Sequence, residues 1–154
     1  MIRRTVLKGA GATGVLAGLI AAGVLKPTLA YANEWNKAAF EAKDFDAALK
    51  AIGGEGAATN PALSMKAPEI AENGAVVPID VISNLPDTTS IAVLVKKNPL
   101  PLASVFEFSG GAQGEVSVRL KVSETSVIQA IAKAGGKSYS VQREVKVTVG
   151  GCGG

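Results

Sequence analysis

The residue with the clearest chemical potential is a single cysteine near the C-terminus. The chain ends Gly150-Gly151-Cys152-Gly153-Gly154, and Cys152 is its only thiol. Glycine gives the backbone freedom and offers no steric cover, so this pattern predicts a mobile arm with an accessible thiol. At about 3.4 Å per residue, five residues reach at most roughly 17 Å beyond Val149. Such an arm is long enough to enter an active-site channel of another protein.

The residues near Cys152 provide no group that would activate its thiol. An unperturbed cysteine thiol has a pKa of about 8.5, so only a few per cent of it is ionised at neutral pH. The chain has no histidine, and the closest basic residue, Lys146, stands six residues back along a predicted strand. We therefore expect partner enzymes to activate Cys152, which would make the protein a carrier of a covalent group and not a catalyst.

Composition excludes most other site chemistries. Without histidine and with one cysteine, the chain has no Ser-His-Asp or Cys-His catalytic set, no His-rich or multi-Cys metal site and no internal disulfide. An incidental cysteine in a frayed tail is the simplest alternative. It is disfavoured because an unpaired exposed thiol is a disulfide hazard in an oxidising compartment. We expect no catalytic residue, no metal and no cofactor other than the group carried on Cys152.

The N-terminal residues 1–32 have the pattern of an export signal. Arg3 and Arg4 precede an apolar, glycine-rich run over residues 9–25, and Ala30-Tyr31-Ala32 offers a cleavage site. The paired arginines predict a twin-arginine signal, export of a folded protein to the periplasm and cleavage after Ala32. The apolar run has 17 residues, five of them glycine, whereas a membrane span needs about 20 strongly apolar residues. We therefore expect no permanent membrane anchor.

The charge of the remaining chain argues against a nucleic-acid partner. The whole chain has a net charge of +3, but residues 1–32 contain four basic residues and no acidic one. The other 122 residues therefore have 12 basic and 13 acidic side chains, a net charge of −1. A basic surface for nucleic acid is not indicated.

The segment 33–54 predicts helical structure ahead of a β domain. Apolar residues recur every three or four positions, and the run ends at two glycines. Asp44 could instead cap a second short helix after a break near Lys43, and the sequence leaves both possibilities open. Trp35 and Phe40 are expected to pack the helical segment onto the β domain. The apolar stripe consists of Ala38, Ala42, Phe45, Leu49 and Ile52.

Residues 65–149 predict a β-sandwich, after a linker over residues 55–64. Apolar and polar residues alternate, as in strands with one face on a core, and turn residues separate the strands. Pro78 predicts that its strand is an edge strand, and Arg143 is expected to extend its charge to solvent at an edge. About seven short strands predict an immunoglobulin-like antiparallel β-sandwich. The predicted strands are 66–71, 75–83, 90–96, 102–108, 116–122, 126–132 and 139–149.

Several segments resemble the SoxY family, the sulfur-carrier subunit of the periplasmic thiosulfate-oxidising (Sox) system. The resemblance is carried by the C-terminal sequence Val147-Thr148-Val149-Gly150-Gly151-Cys152-Gly153-Gly154 and by three internal stretches, 67–74, 98–102 and 120–126. It implies that Cys152 is the attachment point for an S-thiosulfonate and a persulfide, and that residues 150–154 form a swinging arm. It also implies a heterodimer with a SoxZ-like β-sandwich subunit. The other implied partners are a c-type haem protein that attaches thiosulfate, a hydrolase that releases sulfate and a sulfur dehydrogenase.

Two other functions are compatible with parts of the sequence. The terminal Gly153-Gly154 is also typical of ubiquitin-like carriers, whose chain-end carboxylate becomes a thiocarboxylate. That activation consumes ATP, which is absent outside the cytoplasm, so the predicted export argues against this function. An exported β-sandwich interaction module that uses Cys152 for an intermolecular disulfide is the second alternative. A Cys152→Ser variant distinguishes these cases, because only the sulfur carrier would lose its sulfur loading.

Overall fold

The protein is described from a computed structural model, which covers residues 36–148. Two short helices lie at the start of this region and strands form the rest. The helices are α1 (Lys37–Glu41) and α2 (Phe45–Ala51). The strands are β1 (Ala58–Thr59), β2 (Leu63–Lys66), β3 (Ile70–Ala71), β4 (Val77–Ser83), β5 (Thr88–Val95), β6 (Leu102–Glu107), β7 (Gly114–Leu120), β8 (Ser126–Ala134) and β9 (Lys137–Val147).

The strands form two sheets, as the immunoglobulin-like prediction requires. The larger sheet has the order β1-β9-β8-β5-β6, with β3 also beside β9, and the smaller has the order β2-β4-β7. The chain passes between the sheets at every connection except those from β5 to β6 and from β8 to β9, so that neighbours in sequence are often in different sheets. The pairings are antiparallel except those of β1 and β3 with β9. The predicted mainly β sandwich with a preceding helical segment is therefore confirmed.

The main core lies between the sheets and follows the alternation of the sequence. In β4, Val77, Ile79 and Val81 are fully buried, while Pro78 is exposed. Strand β5 differs, because five consecutive residues over 91–95 are buried. The reason is a second core on its other face, where α1 and α2 pack against Ala92, Leu94, Leu102 and Ile131. The helices therefore cover the outer face of the larger sheet.

The helical segment is two helices and not one. The Asp44 carboxylate accepts a hydrogen bond of 2.9 Å from the backbone N–H of Ala47 and so caps α2. The break shifts the helical phase, so the predicted stripe is only partly correct: Ile52 is buried, but Ala38 is exposed and Ala39 is buried instead. Phe40 packs against the second core, as predicted. Trp35 lies outside the described residues.

Two boundary predictions at the start of the β domain were wrong. The expected linker 55–64 contributes β1, which pairs in parallel with residues 139 and 140 of β9, and the beginning of β2. The expected strand 66–71 is divided between β2 and β3, which belong to different sheets. Pro68 lies between them and explains the break, because proline cannot donate a ladder hydrogen bond.

Pro78 was predicted to mark an edge strand, and this was wrong for the strand as a whole. Strand β4 is the central strand of its sheet. Pairing with β2 stops at Asp80, however, so only β7 flanks Pro78, where its partner is Arg119. The strand is therefore central, but it has a free side at the proline. This local edge reconciles the residue with its position.

Arg143 is exposed, in agreement with its predicted place at an edge. Strand β1 pairs with β9 at residues 139 and 140, and β3 pairs with it at residues 146 and 147. Arg143 lies in the stretch of β9 between these two partners. Within residues 36–148, neither helix has the length and apolar character needed to cross a membrane.

The sandwich has two ends, which we name by their position relative to the C-terminal tail. The tail end is the end at which β9 finishes, and it consists of residues 69–76, 96–101, 121–126 and 146–148. The opposite end consists of residues 84–89, 108–114 and 134–138.

Candidate functional site

All of the site residues predicted from sequence lie outside the described region. They are Cys152, the arm glycines Gly150, Gly151, Gly153 and Gly154, and the export residues Arg3 and Arg4. The structure does describe the residues from which the C-terminal segment leaves the domain. Thr148 is the last described residue, and Cys152 follows it by four positions.

Strand β3 and the residues beside it hold one side of the end of β9. The backbone N–H of Lys146 donates to the carbonyl of Glu69 at 2.9 Å, and that of Thr148 donates to the carbonyl of Ala71 at 3.1 Å. The hydroxyl of Thr148 also donates to the carbonyl of Glu72 at 3.2 Å. Residues 69–72 therefore act as a strap along the final residues of the strand.

Thr125 holds the other side of the same strand end. Its hydroxyl oxygen accepts a hydrogen bond of 3.0 Å from the backbone N–H of Val147. Three consecutive amides, at residues 146, 147 and 148, therefore have partners on alternating sides of the strand. Four residues of chain span at most about 14 Å, and this is the upper limit of the distance between the Cα atoms of Thr148 and Cys152.

Side chains tie the remaining loops of the tail end to one another. The Asn98 amide donates to the carbonyl of Lys121 at 2.7 Å and accepts from the backbone N–H of Ser123 at 3.0 Å. The carbonyl of Gly74 accepts from the N–H of Val122 at 2.7 Å. The loop that contains Thr125 is thus bound to both of its neighbours. We call this connected set of tail-end segments the mount of the C-terminal segment.

The sequence signals for these supporting residues are weak. Gly74, Asn98 and Thr125 each belong to one of the three internal stretches that resemble the SoxY family. The proline after Asn98 indicates a turn at this position. The bonds of the Asn98 side chain to Lys121 and Ser123 span 23 and 25 residues. No local pattern in the sequence indicates such partners.

A groove with charges of both signs lies beside the strap. It has a volume of about 510 Å³, and its floor includes the buried side chain of Met65. Among the described residues, three basic and two acidic side chains line it, so it has no strong preference for one sign of charge. Its charged lining residues are Lys66, Arg143, Lys146, Glu69 and Glu144.

A larger cavity is found at the opposite end, away from the end of β9. It has a volume of about 670 Å³ and lies between residues 82–89 and 108–115. Its described lining includes the carboxylates of Asp87 and Glu115 and no basic side chain. In the part of the chain that the structure describes, no three potential metal ligands are grouped together.

Comparison with known proteins gives one consistent family. The family model "Sulfur oxidation protein SoxY" matches residues 49–152, a range that includes Cys152. A solved structure of the sulfur carrier protein SoxY from Chlorobium limicola f thiosulfatophilum is 38% identical, with 71% of this chain and 96% of that chain covered and a TM-score of 0.62. The comparison with curated proteins found no match.

A more distant solved structure supports the fold alone. It is a superoxide reductase (neelaredoxin) from Ignicoccus hospitalis, which is 20% identical to this chain. The alignment covers 68% of this chain and 92% of that chain, with a TM-score of 0.50.

Proposed function

The chain belongs to the SoxY family, and on this premise we propose that it is a sulfur carrier of thiosulfate oxidation whose intermediates are bound to Cys152. The observation that carries the proposal is the position of this thiol. It is the only one in the chain, glycine pairs flank it, and it follows by four residues a strand end that is held on both sides. A fixed base with an unhindered thiol beyond it suits a group that several enzymes must reach in turn.

The proposed loading step is an oxidation. The thiol and thiosulfate combine as Cys–SH + S₂O₃²⁻ → Cys–S–S–SO₃⁻ + H⁺ + 2e⁻, and a c-type haem protein takes the two electrons. A hydrolase then cleaves the terminal group: Cys–S–S–SO₃⁻ + H₂O → Cys–S–S⁻ + SO₄²⁻ + 2H⁺. The remaining persulfide is the substrate of a sulfur dehydrogenase where one is present. Each step after loading changes only the group beyond the cysteine sulfur.

The division of labour follows from the composition of the chain. With no histidine, the protein lacks the usual base for thiol activation, and the proposal assigns activation to the partner enzymes. Covalent attachment keeps reactive sulfur intermediates from diffusing away between enzymes. The protein is thus proposed to be a non-catalytic subunit without a cofactor of its own.

The proposed setting is the periplasm. The paired arginines Arg3 and Arg4 support export of a folded protein, and a folded heterodimer with a SoxZ-like subunit could leave the cytoplasm on this one signal. The fold offers sheet edges for such a subunit.

The proposal is tested by loading the purified protein. The mature chain, in complex with its SoxZ-like subunit, is mixed with thiosulfate, the haem protein and an electron acceptor, and its intact mass is measured. We expect an addition of one thiosulfate that a reductant removes. A Cys152→Ser variant should fold normally and gain no mass, whereas a Ser109→Ala variant, altered at an exposed position of the opposite end, should be loaded fully. Loading of the Cys152→Ser variant would contradict the proposal.

A further inference from the structure

The exposed large apolar side chains are concentrated at the tail end. Among the described residues, Ile70, Val76, Leu100 and Val105 are the large hydrophobic residues with substantial exposure, at 58%, 54%, 48% and 36%. The three most exposed belong to tail-end segments. Val105 lies within β6.

The three tail-end residues belong to segments that are connected to one another. Ile70 lies in the strap and pairs with Lys146. Val76 follows Gly74, which is bound to Val122, and Leu100 follows Asn98, which is bound to both neighbours of Val122. The same loop contains Thr125, which holds the end of β9. The apolar side chains are therefore carried by the mount from which the C-terminal segment leaves.

The length of the C-terminal segment determines which surface an enzyme must meet. Cys152 cannot be farther than about 14 Å from Thr148, measured between Cα atoms. An enzyme that reacts with the sulfur must therefore bring the rim of its active-site channel next to the tail end. Apolar side chains exposed at that position lose contact with water when the rim approaches, which stabilises the encounter.

From this we propose that Ile70, Val76 and Leu100 form a docking surface for the enzyme that loads Cys152, and that this enzyme has an apolar rim around its channel. The inference rests on the proposed function and adds the surface that selects the partner. Charge contributes less than apolar contact to the binding of this enzyme, because the adjacent groove has side chains of both signs. Thiosulfate itself does not need this surface, since the docking partner is the protein that delivers it.

The test compares two variants of the mature chain in complex with the SoxZ-like subunit. The first combines Ile70→Ser, Val76→Ser and Leu100→Ser, and the control is Val105→Ser, the same kind of change outside the tail end. The rate of thiosulfate loading by the haem protein is measured by intact mass as a function of carrier concentration. We expect the KM for the carrier to rise about tenfold in the triple variant, with kcat unchanged, and less than about twofold in the control. A triple variant with an unchanged KM would overturn the inference.

Two further measurements separate docking from other roles of the surface. The reaction of Cys152 with a small disulfide reagent should proceed at the same rate in all variants, because no protein docks in that reaction. A slower reaction in the triple variant would indicate an altered mount and overturn the inference. Light scattering of the triple variant should show an intact heterodimer. If the variant has lost the SoxZ-like subunit or a self-associated form, the surface binds that partner and not the loading enzyme, and the inference is overturned. Failure to load the unaltered protein would overturn the proposed function and, with it, the inference.

Discussion

Both ends of the sandwich have hydrogen bonds between distant segments, but the bonds of the tail end converge on the last described residues of β9 and on the loops around them. At the tail end, side chains such as Asn98, Thr125 and Thr148 bond to backbone groups 22 to 76 residues away. At the opposite end, the hydroxyls of Thr89 and Ser138 also donate to distant carbonyls, those of Lys133 and Gly53. The Ser83 hydroxyl there bonds to Thr88, five residues away, and Thr88 donates to Leu85 within the same turn. The larger cavity also lies at the opposite end.

This contrast suggests what each end does. Long-range ties make the tail end a fixed reference from which a short segment can present a thiol. The opposite end closes strand connections with local turns, including the glycine pairs at residues 110–111 and 135–136, all with positive φ. Of the two cavities described, the larger lies at the end away from the proposed site. The proposed function rests instead on the position at which the chain leaves the fold.

The largest expected effect comes from removing the side chain of Asn98 at the tail end. An Asn98→Ala variant removes two bonds between tail-end loops and leaves the carbonyl of Lys121 and the N–H of Ser123 without their partner. We expect the free energy of unfolding to fall by about 2 kcal/mol, as measured with a chemical denaturant. The control is Asn84→Ala at the opposite end, where the exposed side chain should contribute less than about 0.5 kcal/mol. Equal losses in the two variants would remove the distinction between the ends.

A smaller and more local effect is expected at Thr125. A Thr125→Val variant keeps the side-chain shape but removes the acceptor for the N–H of Val147, at a cost of about 1 kcal/mol. The Val147 amide should exchange with solvent about five times faster, as measured by hydrogen exchange. Thr125→Ser, which retains the hydroxyl, should exchange like the unaltered protein. If both variants exchange alike, the hydroxyl does not hold the strand end.

The smallest effect is expected at the opposite end, at Ser83. The Thr88 hydroxyl donates its proton to Leu85, so the hydroxyl of Ser83 is the donor in the bond of 2.8 Å between them. A Ser83→Ala variant leaves Thr88 with its other partner, and we expect a loss of about 0.5 kcal/mol in thermal or denaturant unfolding. Loading of Cys152 should be unchanged. Slower loading would show that the opposite end contributes to carrier function.

The fold could be predicted from the sequence where the signal is local. The alternation in β9 predicted a strand with Val145 on the core, and Asp44 was identified as a possible cap. Pro78 was misjudged because its meaning depends on where the neighbouring strand β2 ends. The short strand β1 was missed because two residues cannot show an alternating pattern.

The candidate site was only half predictable. The thiol of Cys152 can be proposed from the sequence because its chemistry and its glycine neighbours are adjacent in sequence. Its mount cannot, since Thr125 meets Val147 across 22 residues and Thr148 meets Glu72 across 76. These contacts exist only after the sheets have formed. The proline after Asn98 indicates a turn, but it gives no sign of the bonds from the Asn98 side chain to the next loop.

The most direct test of the central claim is mass spectrometry of the protein from the periplasm of thiosulfate-grown cells, before and after mild reduction. Digestion separates the peptide that contains Cys152 from the rest of the chain. The account predicts sulfur adducts that are confined to this peptide and are removed by the reductant. A peptide that is always unmodified, or is linked only to a second copy of itself, would contradict the carrier function and favour a disulfide-linked interaction module.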